Sequence, residues 1–170
     1  MKLKIRETAI FGFLGALMFA SKLVMEVLPN VHLLGVFTVA LTAVYRWKAL
    51  YPIYIYVLIC GLYAGFSMWW IPHLYLWTLL WGVVMLLPKR MPPKVRPVVY
   101  MIVCALHGLL YGTLYAPAQA LMFGFDFERT VAWIIAGLPF DVIHGVSNFF
   151  FGVLIVPIIT VIERLERRQR

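Results

Sequence analysis

At 170 residues the chain has room for one domain, and its 64% hydrophobic and 13% charged residues, with a mean hydropathy of +0.91, place it outside the soluble class, where about a quarter of residues are charged. An all-α integral membrane protein in the lipid bilayer is expected. The formal charge of +8 raises nucleic acid as a partner, but the basic residues sit in the gaps between apolar runs, so they describe topology and no nucleic acid is expected.

A span needs about 20 mostly apolar residues, and that ruler predicts six transmembrane helices near 7–28, 31–45, 49–67, 73–88, 97–122 and 131–163, in one transmembrane domain covering 1–170. The start, "MKLKIRETAIFGFLGALMFASKLVMEVL", is basic. Its apolar stretch is longer than the roughly 7 to 15 residues of a secretory-signal core and has no convincing cleavage site, so it is expected to remain as the first helix. There Gly12, Ala16 and Ala20 recur every four residues, a stripe with little side chain that another helix can approach closely, whether within this bundle or from another subunit. Lys22 and Glu26, at i and i+4, share a face near the far end of that helix and either neutralise one another or meet a ligand.

The link "PNVH" (29–32) brings His32, and "SMWWIPHLY" (67–75) brings Trp69, Trp70 and His73, as interface anchors or as cover for a site. The fourth predicted helix carries Trp77 and, one turn deeper, Trp81. The stretch "PKRMPPKVRP" (88–97) is the one linker-like segment. The fifth helix carries His107, Tyr111, Tyr115 and Gln119. In the sixth, "PFDVIHGVSN" places Asp141, His144 and Asn148 at i, i+3 and i+7, on one face. Cys60 and Cys104 lie alone in apolar runs and read as small buried hydrophobes.

Thirteen of the fifteen Lys and Arg fall at the N-terminus (Lys2, Lys4, Arg6), the second link (Arg46, Lys48), the fourth link (Lys89, Arg90, Lys94, Arg96) and the tail (Arg164, Arg167, Arg168, Arg170). These are alternate ends of six helices. Basic excess marks the cytoplasmic side, so both termini are expected to be cytoplasmic. With that orientation the polar residues of four helices share the outer half of the membrane, the usual mark of a cavity or pathway. A small molecule there would meet the acceptor Asp141, the imidazole of His144 and the amide of Asn148, with Trp77 and Trp81 as walls. The alternatives are that Asp141 caps a helix start after Pro139 and that His144 and Asn148 bond neighbouring helices.

No Walker-type, HExxH, CxxC or GxSxG motif occurs. Ser147 shares a helix with His144 and cannot be aimed at it as a triad requires. No enzyme, metal ligand or cofactor is therefore expected in this chain. An intramembrane enzyme using His144 and Asp141, and a non-catalytic assembly subunit, remain as alternatives.

The AxxxA pattern of Ala16 and Ala20 with "GLPFDVIHGVSNF", in a six-helix chain of this size, resembles the S components of energy-coupling factor (ECF) vitamin transporters. That resemblance implies a multi-pass subunit of the bacterial cytoplasmic membrane that binds a vitamin or vitamin precursor from outside. It implies docking through the alanine face of the first helix onto a transmembrane T component carrying two ATPase subunits, which alone use ATP. By position, Ala16 and Ala20 become the docking face and Asp141, His144, Asn148, Trp77 and Gln119 become pocket candidates. An aromatic pocket with few fixed charges suits a flat, neutral or weakly basic heterocycle, such as a thiamine-like pyrimidine, pyridoxine or a benzimidazole precursor of cobalamin.

Overall fold

The computed structural model describes residues 4–168; Lys2 and Arg170, two of the cations used for topology, lie outside the described residues. Among these, every regular element is helical: α1 (Ile5–Met25), α2 (Leu34–Tyr45), α3 (Leu50–Ala64), α4 (His73–Leu86), α5 (Arg96–Leu109), α6 (Tyr111–Phe123), α7 (Phe127–Phe151) and α8 (Ile155–Arg168). Short 3-10 turns cover Arg46–Ala49, Met68–Trp70 and Gly152–Leu154. Five continuous helical stretches, Ile5–Met25, Leu34–Ala64, Met68–Leu86, Arg96–Phe123 and Phe127–Arg168, are long and apolar enough to cross a membrane. The chain is a membrane protein by that measure.

Local chemistry explains the ends. Glu7 reaches back to accept from the Lys4 backbone N–H at 3.1 Å, and the Asp126 carboxylate accepts from Arg129 N–H at 2.8 Å, so the first orphan donors of α1 and α7 are met. Gly65 (φ +88) and Gly124 (φ +65) end α3 and α6 in a conformation other residues adopt at a cost.

The Leu34–Ala64 stretch turns back on itself. Arg46 holds φ +54 and ψ −119, rare for a residue with a side chain, and is pinned from three sides. Its guanidinium donates to Val84 O (3.5 Å) and Met85 O (2.7 Å) at the end of α4, and its carbonyl accepts from Trp81 Nε1 at 3.1 Å. α2 and α4 therefore end together. Tyr54 donates to Leu74 O (2.8 Å) and Trp70 Nε1 donates to Val57 O (2.7 Å), so α3 runs against α4.

α2 is the axis of the bundle. Eight of its twelve residues are buried, and it supplies both apolar cores, one shared with α1, α3 and α4, the other with α4, α5 and α8. At 1.5 Å per residue it is only about 18 Å long, so the link ahead of it reaches into the bundle, where Asn30 O accepts from Ser147 Oγ at 3.3 Å.

Two predicted helices are interrupted. The predicted 97–122 helix breaks at Leu110, between α5 and α6, and the predicted 131–163 helix starts earlier, at Phe127, and passes through the Gly152–Leu154 turn. α5 and α7 cross at glycines. A Cβ on Gly108 would sit 2.9 Å from the Gly145 backbone, and one on Gly145 would strike the Leu109 side chain, so only hydrogens permit this approach.

Candidate functional site

The α5–α7 approach and the inward link bring together residues from five elements. His144 of α7 meets His32 edge to face at 4.6 Å between ring centroids, and Tyr111 at 5.0 Å. Tyr111 in turn meets His107 at 5.8 Å and Trp77 at 6.0 Å. Trp77 contacts His107 at 5.6 Å and closes the group against His32 at 6.0 Å. Asn148 lies one turn below His144, against Gly35 and Gly108. Trp77 is 1% exposed and His144 2%.

Five polar atoms of this group are buried without a hydrogen-bond partner among the described residues: His32 Nδ1, Trp77 Nε1, His107 Nδ1, His144 Nε2 and Asn148 Oδ1. The remaining such atom, Thr38 Oγ1, belongs to α2. Buried polar atoms are paired in the great majority of cases, and each orphan costs about 1–3 kcal/mol. A cluster of them is an arrangement that buried water or a bound molecule would satisfy.

The pairing elsewhere on the same side chains sets their sense. His107 Nε2 lies 3.1 Å from Leu76 O, which can only accept, so Nε2 carries the proton and Nδ1 is left as an acceptor. Asn148 Nδ2 donates to Cys104 O at 3.1 Å, leaving Oδ1 as an acceptor. The Trp77 indole N–H can only donate. His32 and His144 offer one nitrogen each, donor or acceptor by tautomer. The group thus presents one fixed donor, two fixed acceptors and two adaptable nitrogens within aromatic walls. Burial, with the Lys22 ammonium adding, pushes the His32 imidazole down to about 4, so it is neutral at pH 7.

The sequence-derived candidates divide. Asp141, His144 and Asn148 share one buried face, as their spacing predicts, and Trp77 lies against His107 and Tyr111. Asp141, however, does not cap its own helix: it sits in the middle of α7, and both its oxygens approach Gly112 N, at 3.0 and 3.1 Å, capping the start of α6 from outside. Trp81 points away, its N–H bonded to Arg46 O and its ring 4.8 Å from Trp47. Tyr115 lies at the margin, bonded to Trp69 O at 3.2 Å and stacked on Trp133 at 5.8 Å. Gln119 is half-buried on α6, with no hydrogen bond or ring contact to the group among the described residues. Lys22 and Glu26 pair with one another at 2.8 Å near the surface. Ala16 and Ala20 are exposed, and a Cβ at Gly12 would meet nothing within 4 Å, so the small-residue stripe is not consumed by packing inside this chain.

The spacing of the sequence puts His107 and Tyr111 on the fifth helix and His32 in a link, and does not by itself join them to the site. The available signal was the clustering of aromatic and imidazole side chains in links and helices that share a membrane depth.

Two cavities flank the group. One of about 220 Å³ lies between α6 and α7, lined by Tyr111, Tyr115, Trp133, Phe140 and Asp141. The other, about 320 Å³, lies beside His107 and is otherwise apolar. A larger groove, about 530 Å³ along Trp47, Tyr51, Tyr54 and Leu58, runs on the outer face of α3, away from these atoms.

No family model, no curated protein and no solved structure matches this chain.

Proposed function

We propose that the chain is the substrate-binding S component of an ECF-type importer, which captures a vitamin or vitamin precursor at the His32–Trp77–His107–Tyr111–His144 group. One observation carries this: five buried polar atoms without partners, gathered among aromatic rings, in a bundle whose other buried side chains are mostly paired or apolar. Their mixture of donors and acceptors fits a flat heterocycle with hydrogen-bonding groups on its rim, thiamine-like, pyridoxine-like or a benzimidazole precursor of cobalamin.

In this proposal the chain crosses the membrane six times, with α2 and α3 as separate crossings and both termini cytoplasmic. The Arg6–Glu166 pair joins the two ends of the described chain, and most basic residues lie at that end. The bound ligand then faces outward, and the open Gly12–Ala16–Ala20 stripe meets the T component of a complex energised by two ATPases.

The assembly-subunit alternative draws on the Asp141–Gly112 and Asn148–Cys104 bonds, which tie helices together. Thermal unfolding of purified protein against a panel of vitamins and their heterocyclic precursors separates the two. A ligand at 100 times its dissociation constant stabilises by about 2.7 kcal/mol, and His144→Ala is expected to abolish that shift. Silence from folded protein across the panel favours assembly. Ala16→Trp is expected to spare binding and abolish uptake in cells carrying the partner subunits.

A further inference from the structure

Asp141 is 5% exposed and carries more acceptor capacity than its surroundings use. A carboxylate offers about four lone-pair sites, yet both Asp141 oxygens share one donor, the N–H of Gly112. The ion pairs of the described residues are Arg6–Glu166, Lys22–Glu26, Lys48–Glu7 and Arg129–Asp126, and none reaches Asp141. Capping α6 needs one acceptor oxygen, which an asparagine would supply without a charge. A carboxylate deep in an apolar bundle is costly unless its charge is used.

A cavity lies beside it. About 220 Å³ between α6 and α7 is lined by Asp141 and by Tyr111, Tyr115, Trp133 and Phe140. Tyr115 and Trp133 stack at 26°, presenting a rigid π surface. Gly137 forms part of the wall, and a Cβ there would meet nothing within 4 Å, which leaves the cavity open. One carboxylate and several π faces are the partners that a compact onium group prefers over a neutral isostere. Tyr111 lines this cavity and also touches His144 and Trp77, so it is the side chain shared by the two places.

We infer that the Asp141 cavity is a cation subsite, which takes a quaternary or protonated ammonium, or a ring-nitrogen cation, of the ligand whose heterocycle lies against the imidazole group. This rests on the capture function proposed above and narrows the ligand to heterocycles bearing a positive charge. The same onium chemistry occurs in phosphatidylethanolamine headgroups, and the contact of Tyr111 with both places favours the captured molecule.

Matched pairs that differ in charge test it: choline against 3,3-dimethyl-1-butanol, and 1-methylnicotinamide against nicotinamide. Binding to the purified full chain is measured by calorimetry in detergent and in phosphatidylglycerol nanodiscs. The cation of at least one pair is expected to bind tenfold or more tightly than its neutral partner. Asp141→Asn, which keeps an acceptor for Gly112, and Gly137→Leu, which fills the cavity from an open wall, should each reduce that ratio to about one. Equal binding of the two members, a ratio unchanged in both variants, or no binding of any cation to folded protein overturns the subsite. Loss of the preference when phosphatidylethanolamine is added to the nanodiscs overturns its assignment to the captured ligand. A vitamin-panel hit without charge preference sinks the subsite and leaves the capture function standing, whereas silence in both assays sinks both.

Discussion

The two ends of the bundle treat polar atoms in opposite ways. Where α1, α2, α4 and α8 meet, Glu7 pairs with Lys48, Glu166 accepts from Tyr45 and pairs with Arg6, and Arg46 closes the end of α4. Charge there is spent on holding helices. Around His32, Trp77, His107, His144 and Asn148 the polar atoms are more deeply buried, and five of them have no partner among the described residues. The first end behaves as a clasp, and the second, on the function proposed above, as a binding surface. Pairing supplies stability, whereas orphaned groups trade stability for the ability to meet something else.

Substitutions can break that contrast, and the largest effect is expected at the floor of the orphaned group. Gly108→Ala places a methyl 2.8 Å from Asn148 Nδ2 and 2.9 Å from the Gly145 backbone. It should cost about 3 kcal/mol in thermal unfolding, and an unchanged melting temperature would show that the α5–α7 crossing is looser than its geometry.

Next comes pH. His32 is neutral in the folded chain with its pKa near 4, against about 6.5 unfolded, so the unfolded state takes up the proton first. The stability from this group is complete above about pH 6.5 and falls as pH drops towards 4, by about 2 kcal/mol at pH 5. Melting curves of the wild type and His32→Gln across that window should diverge, and parallel curves would remove His32 from the buried group.

At the clasp, Arg46→Met removes the cap on Val84 O and Met85 O while the strained backbone stays, at an expected cost of about 1.5 kcal/mol. Ligand affinity should not change; a fall in affinity would couple the two ends. Trp77→Phe does the reverse. It deletes an N–H that pairs with nothing among the described residues and leaves a small void at a fully buried position, so stability should fall by about 1 kcal/mol while affinity for a panel hit drops about tenfold. The smallest effect belongs to Lys22→Ala, below about 0.5 kcal/mol and without influence on binding, because its partner Glu26 is exposed.

Much of this was legible along the chain. Apolar runs of span length identified a helical membrane protein, and the i, i+3, i+7 spacing placed Asp141, His144 and Asn148 on one buried face, because helical periodicity is a local property of the backbone. The basic gaps hold the cations Arg6, Arg46 and Lys48 that the clasp uses, but their partners were not legible there. Where each polar group ends up was decided by contacts between residues far apart in sequence. Trp81 and Trp77 lie one turn apart, yet one donates to Arg46 O and the other to nothing, since only the turn at Arg46 determines which indole finds a carbonyl. His32 joined the group because α2 is too short to fill the bundle and its leading link is drawn inward, where Asn30 meets Ser147. Asp141 turned from a cap of its own helix into a cap of α6 because Leu110 breaks α5 from α6 beside it and Gly112 leaves no side chain in between. A sequence by itself determines which residues are polar and which face of a helix they share; packing between helices determines which of those polar atoms remain unpaired, because a hydrogen bond requires two atoms to meet and periodicity places only one of them.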